Sequence, residues 1–208
     1  EIAYSYVENG AAALSVLTDQ TFFSGSLDHL ARVRKRLIEQ ERSAKIPILR
    51  KDFILDRRQV VEACRFGASA YLLIAACLDV VQLRELIQCG EEQGIEPLVE
   101  VHDAWELERA IDSGAGIIGV NNRNLKTFEV DIRTSFELAR MLEGESYLLV
   151  AESGISEPQQ VRELQDAGFS AFLIGTAFMN SKNPGEELAS LLAEVGGKES
   201  DGSRIYSE

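Results

Sequence analysis

One short pattern recurs four times along the chain: a polar helix end, then glycine, a small residue and an apolar run. It occurs at residues 8–17, 65–74, 112–120 and 166–175, written ENGAAALSVL, RFGASAYLLI, DSGAGIIGV and DAGFSAFLIG. Glycine is typical of the left-handed position at which a helix ends before the chain enters a strand. Successive copies lie about 50 residues apart, a spacing that corresponds to two strand–helix units, so the pattern predicts a repeated βα architecture.

Three further aliphatic segments lie between these copies: IPILRK at 46–51, PLVEVH at 97–102 and SYLLVAES at 146–153. They are short and nearly uninterrupted, which is typical of strands that helices cover on both faces. Amphipathic segments with apolar residues at i, i+3 and i+4, such as LDHLARVRKRLIEQ and PQQVRELQDAG, separate the strands. The order is therefore βα repeated, which predicts seven parallel strands with helices outside.

The strand count has a consequence at the amino terminus. If residues 11–17 form the second strand of a pair, EIAYSYVENG is the helix before it, and the strand before that helix is not among these residues. We therefore predict an α/β fold of the (β/α)8 TIM barrel type with seven of its eight strands, in one domain over residues 1–195. Periodicity alone also allows an open doubly wound sheet, although no GxGxxG loop follows a candidate strand.

The ends of the chain lead to two further expectations. Residues 196–208, GGKESDGSRIYSE, are rich in glycine and charge, so we expect a polar, mobile tail. A barrel that lacks one strand would expose two sheet edges, so we expect the incomplete barrel to be unstable or to associate.

Composition excludes several classes of protein. The chain has 208 residues, 45% of them hydrophobic, and its 21 basic and 34 acidic residues give a formal charge of −13. Such a charge repels phosphodiester backbones and anionic membranes, so neither nucleic acid nor a membrane is an expected partner. Cys64, Cys77 and Cys89 lack the spacing of a zinc site and indicate reduced thiols in a cytoplasmic protein. Signal-peptide and membrane-span patterns are absent from the sequence.

Polar and charged residues follow the last aliphatic residues of five predicted strands. They are Thr18 and Asp19, Lys51 and Asp52, Glu100 and His102, Asn121 with Asn122 and Arg123, and Glu152 with Ser153. In (β/α)8 barrels the active site lies at this end, because the βα loops form one rim there. Lys51, Glu100 and Glu152 would place one cation and two carboxylates in a partly desolvated mouth, which favours proton transfer. For His102 we expect a structural or loop role, the alternative being that it orients Glu100.

Two glycine-containing turns follow the last two predicted strands. AESGIS at 151–156 contains Ser153 and Gly154, and LIGTAF at 173–178 contains Gly175 and Thr176. Barrels often hold a phosphate group at these consecutive strand ends, on backbone N–H groups and a helix N-terminus. The two turns together predict a phosphate-binding site.

These segments resemble one enzyme family in order along the chain. PILRKDFILD (47–56), LVEVHD (98–103), IIGVNNRNLKTFEVD (117–131), VAESGI (150–155) and FLIGTAFM (172–179) are similar to indole-3-glycerol phosphate synthase, as is SVLTDQTFFSGSL (15–27). The resemblance extends over about residues 1 to 195, and LRKDFI and NNRNLKTFEVD are its most specific parts. It implies a (β/α)8 barrel that converts 1-(2-carboxyphenylamino)-1-deoxyribulose 5-phosphate to indole-3-glycerol phosphate, carbon dioxide and water, without a metal or an organic cofactor.

The resemblance also implies roles for individual residues. Lys51 matches the family's general acid, and Glu100 matches a glutamate that positions this lysine and stabilises the developing positive nitrogen. Asn121 matches the asparagine that holds the substrate, and Arg123 its supporting arginine. The remaining matches are Glu152 and Ser153 near the substrate hydroxyl and carboxylate groups, Gly154, Leu173, Gly175 and Thr176 at the phosphate and ring positions, and Phe23 and Phe53 against the anthranilate ring.

One family segment has no counterpart here. The family has a further glutamate and lysine in an ExKxxSPS segment on its first strand, and no residue of this sequence matches them. A non-catalytic barrel that binds a phosphorylated aromatic ligand is therefore an alternative function. Phosphoribosylanthranilate isomerase is a third candidate, but its cysteine and aspartate pair cannot be placed at the predicted strand ends.

Overall fold

The protein is a closed barrel of parallel strands surrounded by helices. A computed structural model describes residues 1–41, 46–196 and 204–207. The strands are β1 (Ala13–Leu17), β2 (Ile48–Lys51), β3 (Ala70–Ile74), β4 (Glu96–Val101), β5 (Ile117–Asn121), β6 (Leu148–Glu152), β7 (Phe169–Ile174) and β8 (Arg204–Ser207). The helices are α1 (Ile2–Glu8), α2 (Gln20–Phe23), α3 (Leu27–Glu39), α4 (Arg57–Arg65), α5 (Val80–Gln93), α6 (Ala104–Asp112), α7 (Arg133–Met141), α8 (Pro158–Asp166), α9 (Thr176–Met179) and α10 (Pro184–Gly196), with a 3-10 turn at Ala75–Cys77.

Each strand pairs in parallel with its neighbours in sequence, and β8 pairs with β1 to close the barrel. The seven strands predicted from the aliphatic segments are confirmed as β1 to β7. The four repeated glycines have the predicted left-handed backbone, with φ of 98° at Gly10, 93° at Gly67, 89° at Gly114 and 101° at Gly168. A side chain at these positions would be strained, which explains why the pattern recurs before β1, β3, β5 and β7.

Apolar residues on the two faces of each strand form two cores. The larger core lies between the sheet and the helices and includes Ile48, Leu73, Val99, Ile118 and Phe172. The smaller core fills the barrel interior and consists of Leu49, Leu72, Ile74, Leu98, Val150, Ala171 and Leu173. Because side chains alternate along a strand, the last inward position of each strand lies at the mouth of the barrel.

The carboxyl-terminal segment differs from the sequence prediction. Arg204–Ser207 was assigned to a mobile tail, whereas it forms β8, which pairs with β7 at Ala171 through Ile174 and with β1 at Ala13 and Leu14. Gly196, the first residue of the predicted tail, ends α10, and residues 197–203 and 208 lie outside the described residues. Four residues with two apolar side chains are too few to show a periodicity of two, so sequence patterns missed this strand.

Seven strands alone would have left two free sheet edges, at β1 and β7. Within the described residues, β8 pairs with both of these strands. β7 is paired with β8 along Ala171 to Ile174, whereas the β1 residues after Leu14 have no registered partner on the β8 side. Association of the chain stays a prediction.

Among the helices of residues 1–41 and 46–196, none has the length and apolar character of a membrane span.

Candidate active site

Three charged side chains from separate strands lie together at the mouth of the barrel. Lys51 ends β2, Glu100 lies on β4 and Glu152 ends β6. Lys51 Nζ is 2.8 Å from Glu152 Oε2 and 3.7 Å from Glu100 Oε2. The lysine side chain is 15% exposed, and the glutamates are 4% and 1% exposed. We call these residues the mouth cluster; its geometry is the convergence that the strand ends predicted.

The charge of Glu100 depends on its neighbours. Burial disfavours the ionised carboxylate, but contacts with His102, Lys51 and Asn121 outweigh it and hold the pKa of Glu100 well below its usual range. Asn121 ends β5 and is buried. With two carboxylates and one ammonium group, the mouth cluster has a formal charge of −1, which suits an adjacent site of developing positive charge.

Glu152 fits into the barrel because the neighbouring strand has a glycine. A Cβ atom at Gly119 would collide with Glu152 Oε1 and would also crowd Leu98. Gly119 is also in register with Glu100 on β4 and with Val150 on β6. A glycine inside a strand often marks such a close approach, so Gly119 is the sequence signal for the place of Glu152.

His102 follows β4 and contacts two glutamates. Its Nδ1 is 2.9 Å from Glu106 Oε2, and its Nε2 is 3.1 Å from Glu100 Oε1. Burial alone would lower the pKa of His102, but the two carboxylates reverse the effect and raise it to about 9. The imidazole is therefore a cation at neutral pH.

A second group of predicted residues lines a cavity of about 270 Å³ beyond β6 and β7. Its lining includes Arg123, Ser153, Gly154, Leu173, Gly175 and Thr176. Ser153 and Gly154 both have left-handed backbones, with φ of 64° and 77°. A Cβ atom at Gly154 would collide with Val130, so glycine lets this loop close against the segment after β5. We call this space the β6–β7 cavity.

Arg123 is fixed at the edge of the β6–β7 cavity by backbone contacts. Its backbone N–H donates to Asn121 Oδ1 at 3.0 Å, and its guanidinium donates to the Phe128 carbonyl at 3.3 Å. Arg123 also forms an isolated antiparallel bridge with Val130. These contacts link the loop after β5 to the cavity.

The predicted aromatic residues lie on the rim, Phe23 at the end of α2 and Phe53 in the loop after β2. Phe23 and Phe53 have ring centroids 6.4 Å apart and nearly parallel planes, at 28°. Phe22, for which the sequence predicts no role, packs edge-on against Phe53 at 5.9 Å. The three rings are exposed, which provides an apolar surface for a flat ligand.

Two residues expected at the mouth have other partners. Asp52 accepts from Arg50 at 2.9 Å and from the Thr18 hydroxyl at 2.6 Å, on the side of β2 opposite Lys51. Asp19 caps α2 by accepting from the Phe22 backbone N–H. Both carboxylates therefore accept hydrogen bonds from neighbouring residues of the segments around the site.

Asn122 was predicted only as a polar strand end, and it joins three elements. Its side chain donates to the Ser153 carbonyl at 3.0 Å and accepts from the Ser135 hydroxyl at 2.8 Å. This buried amide ties the end of β5 to the β6 loop and to α7. Sequence alone shows the residue type but not these distant partners.

The described residues contain no group of three or more His, Cys, Asp or Glu side chains arranged to hold a metal ion.

The fold is similar to the folds of several enzymes of known structure. A crystal structure of 3-hexulose-6-phosphate synthase superposes with a TM-score of 0.74 at 12% identity, covering 93% of this chain and 91% of that chain. Thiamine phosphate pyrophosphorylase from Pyrococcus furiosus gives a TM-score of 0.68 at 16% identity, covering 93% and 87% of the two chains. At these identities the likeness concerns the barrel fold.

Sequence comparison is more specific. The family model of indole-3-glycerol phosphate synthase matches residues 1–191. The indole-3-glycerol phosphate synthase of Polaromonas naphthalenivorans (strain CJ2) is 49% identical over 194 residues, which cover 93% of this chain and 71% of that protein. The protein of that name from Laribacter hongkongensis (strain HLHK9) is 44% identical over 192 residues, covering 92% and 70%. The chain belongs to the indole-3-glycerol phosphate synthase family.

Proposed function

We propose that this chain itself catalyses the family reaction, the conversion of 1-(2-carboxyphenylamino)-1-deoxyribulose 5-phosphate to indole-3-glycerol phosphate. The family is one of decarboxylating lyases of tryptophan biosynthesis that act on a phosphorylated aromatic substrate. The observation that supports activity here is the mouth cluster, in which one lysine lies within 4 Å of two buried glutamates.

Lys51 is the proposed general acid. In ring closure, the ring carbon that bears the carboxylate attacks the ketone carbon, and the ketone oxygen takes a proton and becomes a hydroxyl group. The ammonium group of Lys51 is the cation in the mouth cluster, and general acid catalysis of this kind contributes about 10²- to 10⁴-fold. This proton is the one that the overall reaction consumes when the carboxylate leaves as carbon dioxide.

Glu100 and Glu152 are proposed to stabilise positive charge. Ring closure leaves a cationic nitrogen, and the electron pair of the breaking bond to the carboxylate neutralises it as carbon dioxide leaves. Two buried carboxylates beside this position favour the cation before decarboxylation, because their charges are poorly screened. Asn121 is proposed to hold the substrate beside them.

The last step removes water. The new hydroxyl group leaves with a proton from an acid, while a base removes a proton from the neighbouring CH₂ group, which completes the indole ring. Lys51, after taking a proton from solvent to replace the one given in ring closure, is the proposed acid, and one carboxylate of the mouth cluster is the proposed base and returns the proton it takes to Lys51. Ser153 is proposed to contact the substrate hydroxyl and carboxylate groups.

The outer residues are proposed to bind the two ends of the substrate. The β6–β7 cavity has room for a phosphate group, with backbone N–H groups around Gly154, Gly175 and Thr176, while Leu173 provides an apolar wall and Arg123 a nearby cation. Phe23 and Phe53 are proposed to pack against the anthranilate ring. These sites hold the reacting atoms over the mouth cluster.

Product fluorescence tests the proposal. We expect the chain to generate indole fluorescence from the substrate, with one carbon dioxide released per product molecule. A Lys35→Ala variant is the matched control, because Lys35 lies on α3 with a side chain that is 78% exposed. If the folded chain binds substrate in calorimetry but forms no product, the proposal is wrong and the non-catalytic barrel replaces it.

A further inference from the structure

His102 links the mouth cluster to α6 through its two ring nitrogens. Nδ1 lies 2.9 Å from Glu106 Oε2, and Nε2 lies 3.1 Å from Glu100 Oε1. The Nε2 contact with Glu100 is an ion pair when the imidazole is protonated. The side chains of all three residues are at most 12% exposed, so solvent screens their charges less than it screens those of exposed surface pairs.

A role in loop structure does not explain the whole arrangement. The His102 backbone N–H already donates to Glu106 Oε2 at 2.9 Å, and the Asp103 side chain accepts from the Glu106 backbone N–H. These contacts fix the turn between β4 and α6 without any need for the imidazole ring. The ring adds a charged contact between Glu106 and Glu100.

We propose that His102, held by Glu106, is a positioning residue that keeps Glu100 ionised and directed toward Lys51. The catalytic part of this inference rests on the proposed function, whereas the charge arrangement does not. Charges alternate along the series Glu106, His102, Glu100, Lys51 and Glu152, so each buried group is next to one of opposite sign. Removing the imidazolium would leave Glu100 with Lys51 as its one charged partner in this series.

The other titratable and charged groups near His102 do not replace this arrangement. The Cys77 thiol has its pKa raised by burial and then by Glu100 and Glu106, so it stays neutral beside them. Arg109 of α6 donates to the Ala75 carbonyl at 2.7 Å and lies over the Trp105 ring. Neither residue provides a second cation to Glu100.

Nuclear magnetic resonance of the imidazole ring tests the charge arrangement without requiring turnover. The chain has two histidines, His29 and His102, so the ring signal that a His102→Asn variant lacks belongs to His102. We expect its titration midpoint near 9, well above the ordinary value of about 6.5. Glu106→Gln and Glu100→Gln should each lower this midpoint by one pH unit or more. A midpoint in the ordinary range, or one that neither substitution moves, would overturn the proposal.

Kinetics test the positioning role. His102→Asn should lower kcat about tenfold, the effect of a modestly misplaced catalytic group, with KM nearly unchanged because no proposed substrate contact is altered. His102→Lys, which keeps a cation between the glutamates, should recover part of the lost kcat. The pH profile of kcat of the parent chain should contain a step at the His102 midpoint, in addition to the alkaline limb of Lys51, and this step should be absent from His102→Asn.

The outcomes separate this proposal from the proposed function. A parent chain without turnover contradicts the proposed function, while the resonance experiment still decides whether His102 is held as a cation. A parent with turnover and an unchanged kcat in His102→Asn contradicts the positioning role alone. If His102→Asn does not fold, Glu106→Gln takes its place. For Glu106→Gln we expect a tenfold loss of kcat together with the lowered His102 midpoint.

Discussion

Arg50 and Lys51 are adjacent cations on one strand, yet they belong to different parts of the molecule. Arg50 points out of the barrel and contacts Asp52 at 2.9 Å and Glu62 at 2.9 Å. Lys51 points inward to Glu152 and Glu100. Strand alternation is the cause of this separation, because successive side chains lie on opposite faces of the sheet.

The two cations differ in their hydrogen-bond partners and in their exposure. The Arg50 guanidinium donates to two carboxylates, the Gln59 carbonyl and the Thr18 hydroxyl, so its donors are bound within the structure. Lys51 has a more exposed side chain, at 15% against 4%, and lies at the mouth. In this strand, therefore, the outward cation is held by the fold, and the inward cation lies at the mouth, where the proposed substrate would bind.

Replacing Lys51 should give the largest effect. Lys51→Met removes the proposed acid, so we expect the rate of product formation to fall about 10²- to 10⁴-fold. Stopped-flow indole fluorescence measures this rate at a fixed concentration of folded protein. The Lys35→Ala variant should match the unmodified chain, and a Lys51→Met variant with normal turnover would remove Lys51 from the mechanism.

Replacing Arg50 should instead affect stability. Arg50→Met leaves Asp52, whose side chain is 11% exposed, without its cation, so we expect the free energy of unfolding to fall by about 3 kcal/mol, the lower end of the cost of breaking a buried pair. Urea unfolding monitored by circular dichroism measures the change. Arg58 provides the control, since its side chain is 91% exposed and Arg58→Met should give no resolvable change. Equal stabilities of the two variants would contradict the assignment of Arg50 to the fold.

Replacing Gly119 tests whether turnover depends on the observed position of the Glu152 carboxylate. Gly119→Ala puts a methyl group against Glu152 Oε1, so we expect the carboxylate to move and kcat to fall about tenfold or more, a cost of about 1.4 kcal/mol. Gly116 is the matched control, because a Cβ atom there has no neighbour within 4 Å. Steady-state kinetics of both variants measure the difference, and equal kcat values would show that Glu152 tolerates displacement.

The pH dependence of stability should show the smallest effect. The pKa of His102 is raised to about 9, so its stabilising contribution is fully present below about 6.5 and is lost as the pH rises through 9. Allowing for screening by solvent, we expect a loss of about 1 kcal/mol across this interval. Urea titrations at several pH values measure it, and His102→Asn should remove this part of the slope. An unchanged slope in that variant would assign it to other groups.

The glycine repeat predicted most of the barrel because it depends on local backbone conformation. Gly10 and Gly67 end helices in left-handed conformations whatever their distant neighbours are. The meeting of Lys51, Glu100 and Glu152 also followed from the sequence, because all parallel strands end at the same rim.

Contacts that depend on side-chain direction or on a short segment could not be predicted in this way. Asp52 lies beside Lys51 in sequence but pairs with Arg50, and His102 contacts both Glu100 and Glu106. Strand β8 consists of four residues whose placement depends on the open edges of β7 and β1. In each case distant packing, which local periodicity does not encode, determines the partner.

Exchanging the two cations separately tests whether Lys51 donates a proton at the mouth of the barrel. Lys51→Arg keeps a positive charge between Glu100 and Glu152, but a guanidinium, whose pKa is far above that of an ammonium group, does not give up its proton. We expect Lys51→Arg to unfold at the same urea concentration as the unmodified chain and to form product about 100-fold more slowly or worse. Arg50→Lys, the matched control on the outer face, should keep its turnover per folded molecule. Turnover by Lys51→Arg within tenfold of the unmodified chain would contradict the account.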